Sequence, residues 1–214
     1  MIQDVTTPEQ LAELVRTHDR LRVAGGQTKT ATSSRANVSL AGLAGVLQYE
    51  PAEFTFTARA GTRLDEVEQM LAAKHQYLPF DPPLVEAGAT LGGTVAAGLS
   101  GAGRFRYGGV RDFLLGVQIV TGNSEIVSTG SKVVKNAAGF DFPKLMFGSL
   151  GSLGVMTELT FKVFPAPQSA ATIVLETDDL ANAEAVMKTL ATSQLDLACL
   201  DLDSSHQIWA RIAG

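Results

Sequence analysis

The chain has 214 residues, enough for one full domain and part of a second at roughly 100–200 residues per domain. With 45% hydrophobic and 18% charged residues it has the make-up of an ordinary soluble globular protein, and apolar residues run throughout, which excludes a disordered chain. A net charge of -5 argues against a nucleic-acid partner, and the single cysteine, Cys199, excludes an intrachain disulfide and any cysteine-based metal or iron–sulfur site.

The opening Met1-Ile2-Gln3-Asp4 lacks the basic start and apolar core of a secretory signal, and no apolar run approaches the ~18 residues of a membrane span. The expectation is a cytoplasmic chain without a transmembrane segment, with any peripheral attachment at the inner membrane made through partners. Thr7-Pro-Glu-Gln10 predicts a helix start, with Thr as cap, Pro at the first position and Gln closing a capping box. Leu11, Leu14 and Val15 mark its apolar face. Leu21 to Val23 reads as a short strand entering a glycine turn, Gly25-Gly26-Gln27-Thr28. Phe54, Phe56 and Ala58 alternate with Thr55 and Thr57 as a half-buried strand, and Thr62 opens a second helix with Leu64, Val67 and Leu71 on one face.

Pro79, Pro82 and Pro83 make an extended crossing. Thr90 caps a short helix through Leu99. Leu115 to Thr121 reads as an apolar strand, turned back at Gly122-Asn123 into a second strand from Glu125 to Ser128. Val155, Thr157, Leu159, Phe161 and Val163 share one face of a long strand. Pro165 and Pro167 then mark a boundary. Beyond it we expect a strand (172–176), a helix capped by Asp178 or Asp179 with Leu180, Ala183, Met187 and Leu190 as its stripe, and strands at 195–202 and 208–212.

Eight of the 22 residues from Gly88 to Gly109 are glycine, and further glycine turns lie at residues 25–26 and 148–154. Such density carries an entropic cost unless backbone must approach something closely or aim N–H groups at an anion. A Rossmann fingerprint does not fit, because no third glycine follows Gly25-Gly26 at the required spacing and residues 40–47 contain no acid. Walker A has no match either. An extended phosphate-bearing ligand and a purely structural set of tight turns both remain open at this point.

The order of the motifs carries more. A βαβ unit holding Val23-Ala-Gly-Gly-Gln-Thr28 is followed by Ala60-Gly-Thr62, Pro79-Phe-Asp-Pro82, Ala89-Thr-Leu-Gly-Gly-Thr94 and Tyr107-Gly-Gly-Val-Arg-Asp112. Last come Val134-Lys-Asn-Ala-Ala-Gly-Phe-Asp141 and Leu145-Met-Phe-Gly-Ser-Leu-Gly-Ser-Leu-Gly-Val155. Over residues 1–167 this resembles the FAD-binding (PCMH-type) domain of the vanillyl-alcohol oxidase / p-cresol methylhydroxylase flavoprotein family. Within it, the Lys-Asn-Ala-Ala-Gly-Phe-Asp run and the absence of long insertions look most like the FAD-binding E subunits of bacterial glycolate oxidases. The implied fold class is α+β: a two-subdomain FAD-binding fold over 1–167, followed at 168–214 by the start of a small α/β cap or substrate domain, incomplete or truncated.

The resemblance also implies roles. Gly25, Gly26, Gln27 and Thr28 match a first pyrophosphate loop, and Thr90, Leu91, Gly92 and Gly93 a second, where a side chain at either glycine would collide with cofactor. Ser100, Gly103 and Arg104 fall beside the expected flavin ring. Gly151, Gly154 and Val155 match a closing turn, with Ser152 in place of the commoner Thr. Covalent members carry histidine where this chain has Gln27, and His18, His75 and His206 lie elsewhere, so the implied cofactor is dissociable FAD.

Other side chains have two readings. Arg104, Arg106 and Arg111 are either solvated loop charges or a group offsetting diphosphate charge. Lys135 and Asn136 either orient the cofactor or satisfy local backbone. Asp112 and Asp141 read as caps or structural hydrogen-bond partners, Cys199 as a buried hydrophobe, His206 as exposed, and Trp209 and the phenylalanines as core. No metal site is expected.

Oxidising a 2-hydroxy acid requires a base and a cation for the carboxylate. The chain has no paired histidines and only Arg211 as an arginine beyond residue 168, so no catalytic residue is assigned. The implied function is an FAD-bearing subunit of a glycolate oxidase (dehydrogenase) complex, beside a larger catalytic FAD subunit and an iron–sulfur subunit. The alternatives are a self-contained FAD oxidoreductase acting on an alcohol or hydroxy acid, and a non-catalytic assembly subunit.

Overall fold

The structure is a computed structural model that describes residues 2–29, 35–130 and 141–214. β1 (Gln3–Asp4), α1 (Pro8–Thr17), β2 (Val23–Ala24) and β3 (Val38–Ser39) open the chain, and the three strands form a parallel sheet in the order β1-β3-β2. α1 starts where its cap predicts, with the Gln10 amide donating to Thr7 Oγ1 at 3.3 Å. The Gln10 side chain reaches one residue further back than a capping box requires, accepting from the amide and hydroxyl of Thr6 at 3.0 and 3.1 Å. Leu11 and Leu14 bury against Val5, Val38, Leu40 and Leu43. The strand expected at 21–23 is shifted to Val23 and Ala24. Its start is set by Asn37, whose side chain takes the Arg22 amide at 2.7 Å before the ladder begins.

β4 (Val46–Glu50) and β5 (Thr55–Arg59) form a hairpin around a 3-10 turn at Pro51–Glu53. Phe54 does not start the strand: it lies in the left-handed region (φ 53°) and is 39% exposed. α2 (Leu64–Ala72) buries Leu64, Val67 and Leu71 as expected but begins two residues after Thr62. The Thr62 hydroxyl instead bridges the amide and carbonyl of Gly45, at 3.0 and 3.2 Å.

β6 (Gln76–Tyr77) leads into the proline-bearing crossing, which carries no helix or strand. α3 (Leu91–Ala97) follows, capped by Thr90 and closed by Gly98 at φ 67°, two residues short of the expected end. Two single-turn helices, α4 (Arg104–Tyr107) and α5 (Val110–Phe113), precede β7 (Leu114–Val120) and β8 (Ile126–Gly130). The hairpin between them turns through residues 121–125, and its positive φ falls on Ser124 rather than on Gly122-Asn123.

α6 (Phe142–Leu145), β9 (Val155–Lys162) and β10 (Phe164–Pro165) complete this unit, with β10 pairing to β6. The main sheet is antiparallel, in the order β4-β5-β9-β7-β8. Its central strand β9 buries Thr157, Leu159 and Phe161, and α2 and α3 add Leu64, Val67, Leu71, Leu91 and Val95 to the same core. Phe56, Phe80, Phe113 and Phe161 are core, as the sequence suggests. Phe54 and Phe105 are not, the latter 45% exposed.

Beyond Pro165, β11 (Ala170–Glu176), α7 (Leu180–Ala191), β12 (Leu197–Leu202) and β13 (Gln207–Ala213) form an antiparallel sheet β11-β13-β12 with a helix on it. It has its own apolar cluster of Ala183, Leu197, Leu200, Ile208 and Ala210. Asp179 caps α7, accepting from the Asn182 amide at 2.7 Å. Three expectations fail here. Leu180 is 59% exposed rather than part of the stripe, and Trp209 is 42% exposed rather than core. Ile208 and Ala210 point into the cluster, so the strand alternation sends Trp209 to the other face. His206 is half-buried rather than exposed.

Candidate functional site

The three glycine turns of the sequence meet in one groove. One wall is Gly25, Gly26, Gln27, Thr28 and Lys29 after β2; the second is Thr90, Gly92, Gly93, Ala96 and Ala97 of α3 and its cap; the third is Leu150, Gly151, Gly154 and Val155. Ala60, Leu40 and Met156 also line it. The groove is narrow, about 120 Å³, below the roughly 300–1,000 Å³ of pockets that enclose a compact ligand. It suits a segment of an extended ligand.

Close backbone contact builds this groove. A Cβ on Gly25 would overlap the Thr90 hydroxyl, and one on Gly26 would overlap the Gly88 carbonyl, so these two glycines let the first turn lie directly on the second. At Gly92 a Cβ would sit 2.7 Å from the Ala60 Cβ and 2.9 Å from its carbonyl oxygen. Gly92 is therefore required by helix-to-strand packing whether or not a ligand is present. Gly93 differs: beyond Thr90 Oγ1 at 3.0 Å a Cβ there meets nothing within 4 Å. The third turn docks on the C-terminal end of α3, with the amides of Gly148 and Leu150 donating to the carbonyls of Val95 and Ala96, both at 3.0 Å.

The turns also differ in what their amides do. Around α3 the Leu91 and Gly92 amides donate to the carbonyls of Thr62 and Ala60 at 3.0 and 2.8 Å, and the Gly93 amide to Thr90 Oγ1 at 3.3 Å. The first turn of α3 is thus satisfied within the protein. In contrast, the amides of Gly25, Gly26, Gln27 and Thr28, and those of Gly151 and Gly154, have no acceptor among the described residues. Gln27 holds a left-handed φ of 52° in the middle of its run, a conformation that can gather successive N–H groups around an anion.

Lys29 is the one charged side chain among the described residues lining the groove. Its Nζ lies 3.2 Å from Thr28 Oγ1, and burial lowers its pKa below the ordinary lysine value. The sequence reading missed it, although it directly follows the Gly-Gly-Gln-Thr turn. Leu91 lies in the core, 1% exposed, and does not line the groove.

Ser100, Gly103 and Arg104 are also outside the lining. Ser100 Oγ accepts from the Val110 amide at 2.9 Å, the Gly103 amide donates to Asp81 Oδ2 at 3.0 Å, and Arg104 is exposed on α4. The three arginines do not form a group facing the groove: Arg106 pairs with Asp196, and Arg111 is exposed. Asp112 caps its turn, accepting from the Gly109 amide at 2.9 Å, and Asp141 pairs with Lys144 at 3.0 Å. Lys135 and Asn136 lie outside the described residues.

A second cavity, about 380 Å³, lies where β12 and β13 meet the 100–104 segment, lined by Ala102, Thr172, Cys199, Asp201, Trp209 and Arg211 among others. Cys199 is buried as expected, and its thiol is pushed up to about 11, first by burial and then by the Asp81 charge. Among the described residues no group of three His, Cys, Asp or Glu is placed to hold a metal ion. No helix among them is long and apolar enough to cross a membrane.

Residues 2–130 match the family described as FAD binding domain. The chain is 46% identical over 126 residues to glycolate oxidase subunit GlcE of Escherichia coli (strain K12), covering 59% of this chain and 36% of that protein. It is 35% identical over 143 residues to D-lactate dehydrogenase of Anaerostipes hadrus, covering 67% and 30%. It is 27% identical over 156 residues to glycolate oxidase subunit GlcD of Bacillus subtilis (strain 168), covering 73% and 33%. The chain thus spans about a third of the length of these curated relatives.

In fold it is similar to alkyldihydroxyacetonephosphate synthase, with a TM-score of 0.79 at 20% identity, over 100% of this chain and 47% of the other. The architecture is therefore a mixed α/β one shared along the whole chain. The family match spans more than half of the sequence and contains the first two of the three glycine turns. The chain belongs to the PCMH-type FAD-binding domain family.

Proposed function

We propose that this chain holds FAD non-covalently, its diphosphate lying along the glycine-turn groove, as the flavin-binding part of a flavoenzyme that oxidises a 2-hydroxy acid. The carrying observation is the convergence on one narrow groove of two turns, Gly25 to Thr28 and Gly151 with Gly154, whose amides have no acceptor among the described residues. In this reading the first turn binds the diphosphate through backbone N–H groups. Thr90 and Gly93 shape the opposite wall rather than donate, because the α3 amides are already bonded. Gly92 keeps α3 against Ala60. Gly151, Gly154 and Val155 close the groove on the adenosine or ring side. Ser100, Gly103 and Arg104 are assigned to the ring side on resemblance alone.

Bound flavin supplies the two-electron redox chemistry. The chain's own residues bind and orient it. Gln27 stands where covalent relatives carry histidine, and an amide forms no such bond. Residues 1–167 make the FAD-binding domain and 168–214 the beginning of a cap or substrate domain. The likeness to GlcE supports a place in a glycolate oxidase complex, with a catalytic FAD subunit and an iron–sulfur subunit as partners, a small 2-hydroxy acid as substrate, and a cytoplasmic setting, peripheral at the inner membrane if its partners hold it there.

The test is purification followed by an absorbance scan and acid precipitation. FAD released to the supernatant is the expected result. A chain that carries no flavin and takes up none overturns the reading, and flavin retained in the pellet overturns the non-covalent part. Glycolate turnover that returns only when partner subunits are added supports the complex; turnover by the chain alone overturns it in favour of a self-contained enzyme.

A further inference from the structure

We propose that Lys29 supplies the positive charge that balances the diphosphate of the ligand in the groove, a role that rests on the FAD reading above. The amides of the first turn offer hydrogen bonds but no net charge, and every other described residue lining the groove is uncharged. A diphosphate brings at least one full negative charge into this space, and desolvating it without a cation is costly.

Arg63, Arg106 and Arg211 do not line the groove: Arg106 pairs with Asp196, Arg63 with Asp65 at 2.7 Å and Arg211 with Asp81 at 2.9 Å. Lys29 is half-buried at the end of the same turn whose amides have no acceptor among the described residues, and its Nζ donates to Thr28 Oγ1 at 3.2 Å. Burial disfavours its charged form, and an anion in the groove would reverse that effect. An ammonium on a flexible stem suits a phosphate met as a point charge, where no bidentate geometry is imposed.

The experiment titrates FAD into the flavin-free chain and its Lys29→Met and Lys29→Arg variants, following flavin fluorescence. Loss of one charge-assisted contact weakens binding about 10- to 100-fold in Lys29→Met. Lys29→Arg, which keeps the charge, stays within about threefold of the parent, well under the tenfold of 1.4 kcal/mol. Equal affinity of Lys29→Met and parent overturns the proposal, as does equal loss in both variants.

A chain that binds no FAD at all overturns the functional reading instead. A second measurement covers a variant that does not fold. In the parent, FAD protects Lys29 from an amine-modifying reagent, whereas riboflavin, which lacks phosphate, does not. Absence of protection by FAD, or equal protection by riboflavin, overturns the diphosphate assignment.

Discussion

The Asp81 carboxylate and the Arg211 guanidinium meet at 2.9 Å although they stand 130 positions apart, and the contact joins the groove-bearing unit to the three-stranded sheet. Asp81 has a left-handed φ of 46°, and the same Oδ2 atom also accepts from the Gly103 amide at 3.0 Å and lies 3.5 Å from Cys199 Sγ. One carboxylate oxygen thus holds both the 100–104 segment and β12.

Removing this carboxylate should have two separable effects. The ion pair is partly solvated, so Asp81→Asn, which keeps size and tolerance of the left-handed region, costs about 1 kcal/mol or less. Asp81→Ala also leaves the Gly103 amide without its acceptor and places alanine at a positive φ, for a total of about 2 kcal/mol. Urea unfolding of the two variants measures the difference. Equal losses would show that charge alone holds the junction.

The same carboxylate bears on Cys199. Burial first, and the Asp81 charge second, raise this thiol from its ordinary value near 9.0 to about 11. Between those values the native chain keeps a proton that the unfolded chain has released, so this thiol leaves stability unchanged below about pH 9 and lowers it as the pH climbs toward 11. Asp81→Asn lowers the thiol pKa by removing a like charge, whereas Arg211→Met raises it by removing an opposite one. The pH dependence of reaction with a small thiol reagent reads both. Shifts in the same direction would mean that both variants merely loosen the interface.

Gly92 and Gly93 are neighbours with opposite expectations. Gly92→Ala forces a methyl into Ala60 and its carbonyl, and an overpacked helix–strand contact costs about 1–3 kcal/mol. Gly93→Ala meets only the Thr90 hydroxyl at 3.0 Å and gains helix propensity, so the flavin-free chain is as stable as the parent or up to about 1 kcal/mol more so. Its FAD affinity falls nonetheless, because the new methyl occupies the groove. Thermal melting and flavin titration of the pair separate packing from binding. Full affinity in Gly93→Ala would move the ligand off that wall.

These contrasts explain what was legible in the sequence. α1, α3 and α7 were readable because Thr7, Thr90 and Asp179 act locally, within three residues of the amides they cap. The convergence of the glycine turns was readable only as an order of motifs, since the contacts of Gly25 with Thr90 and Gly26 with Gly88 are long-range. The arginines show the limit. Nothing near Arg106 announces Asp196, 90 positions away, so a cluster of like charges in sequence was not a cluster at the groove. β4 was missed because it is largely exposed on both faces and offers no alternation to read. Lys29 was missed because a lone lysine has no pattern, and its half-buried place follows from the turn before it.

The turn between β12 and β13 gives a pH-dependent prediction with an internal reporter. Asp203 Oδ1 accepts from the amides of Ser205 and Gln207 at 2.8 and 3.0 Å, and Oδ2 accepts from Trp209 Nε1 at 3.1 Å. These bonds, the Gln207 amide foremost and the Trp209 indole next, hold the carboxyl below its ordinary value of 3.8. The carboxylate therefore stabilises the hairpin fully above about pH 3.8, and this contribution is lost as the pH falls through the depressed native value. Trp209 is the sole tryptophan, so its emission reports the change directly. Acid titration should show an emission change with a midpoint below 3.8, and Asp203→Ala should abolish that step while shifting the starting spectrum toward that of a freer indole. A midpoint at or above 3.8, or a step that persists in Asp203→Ala, would assign the change to another group and leave the indole bond without a part in holding the turn.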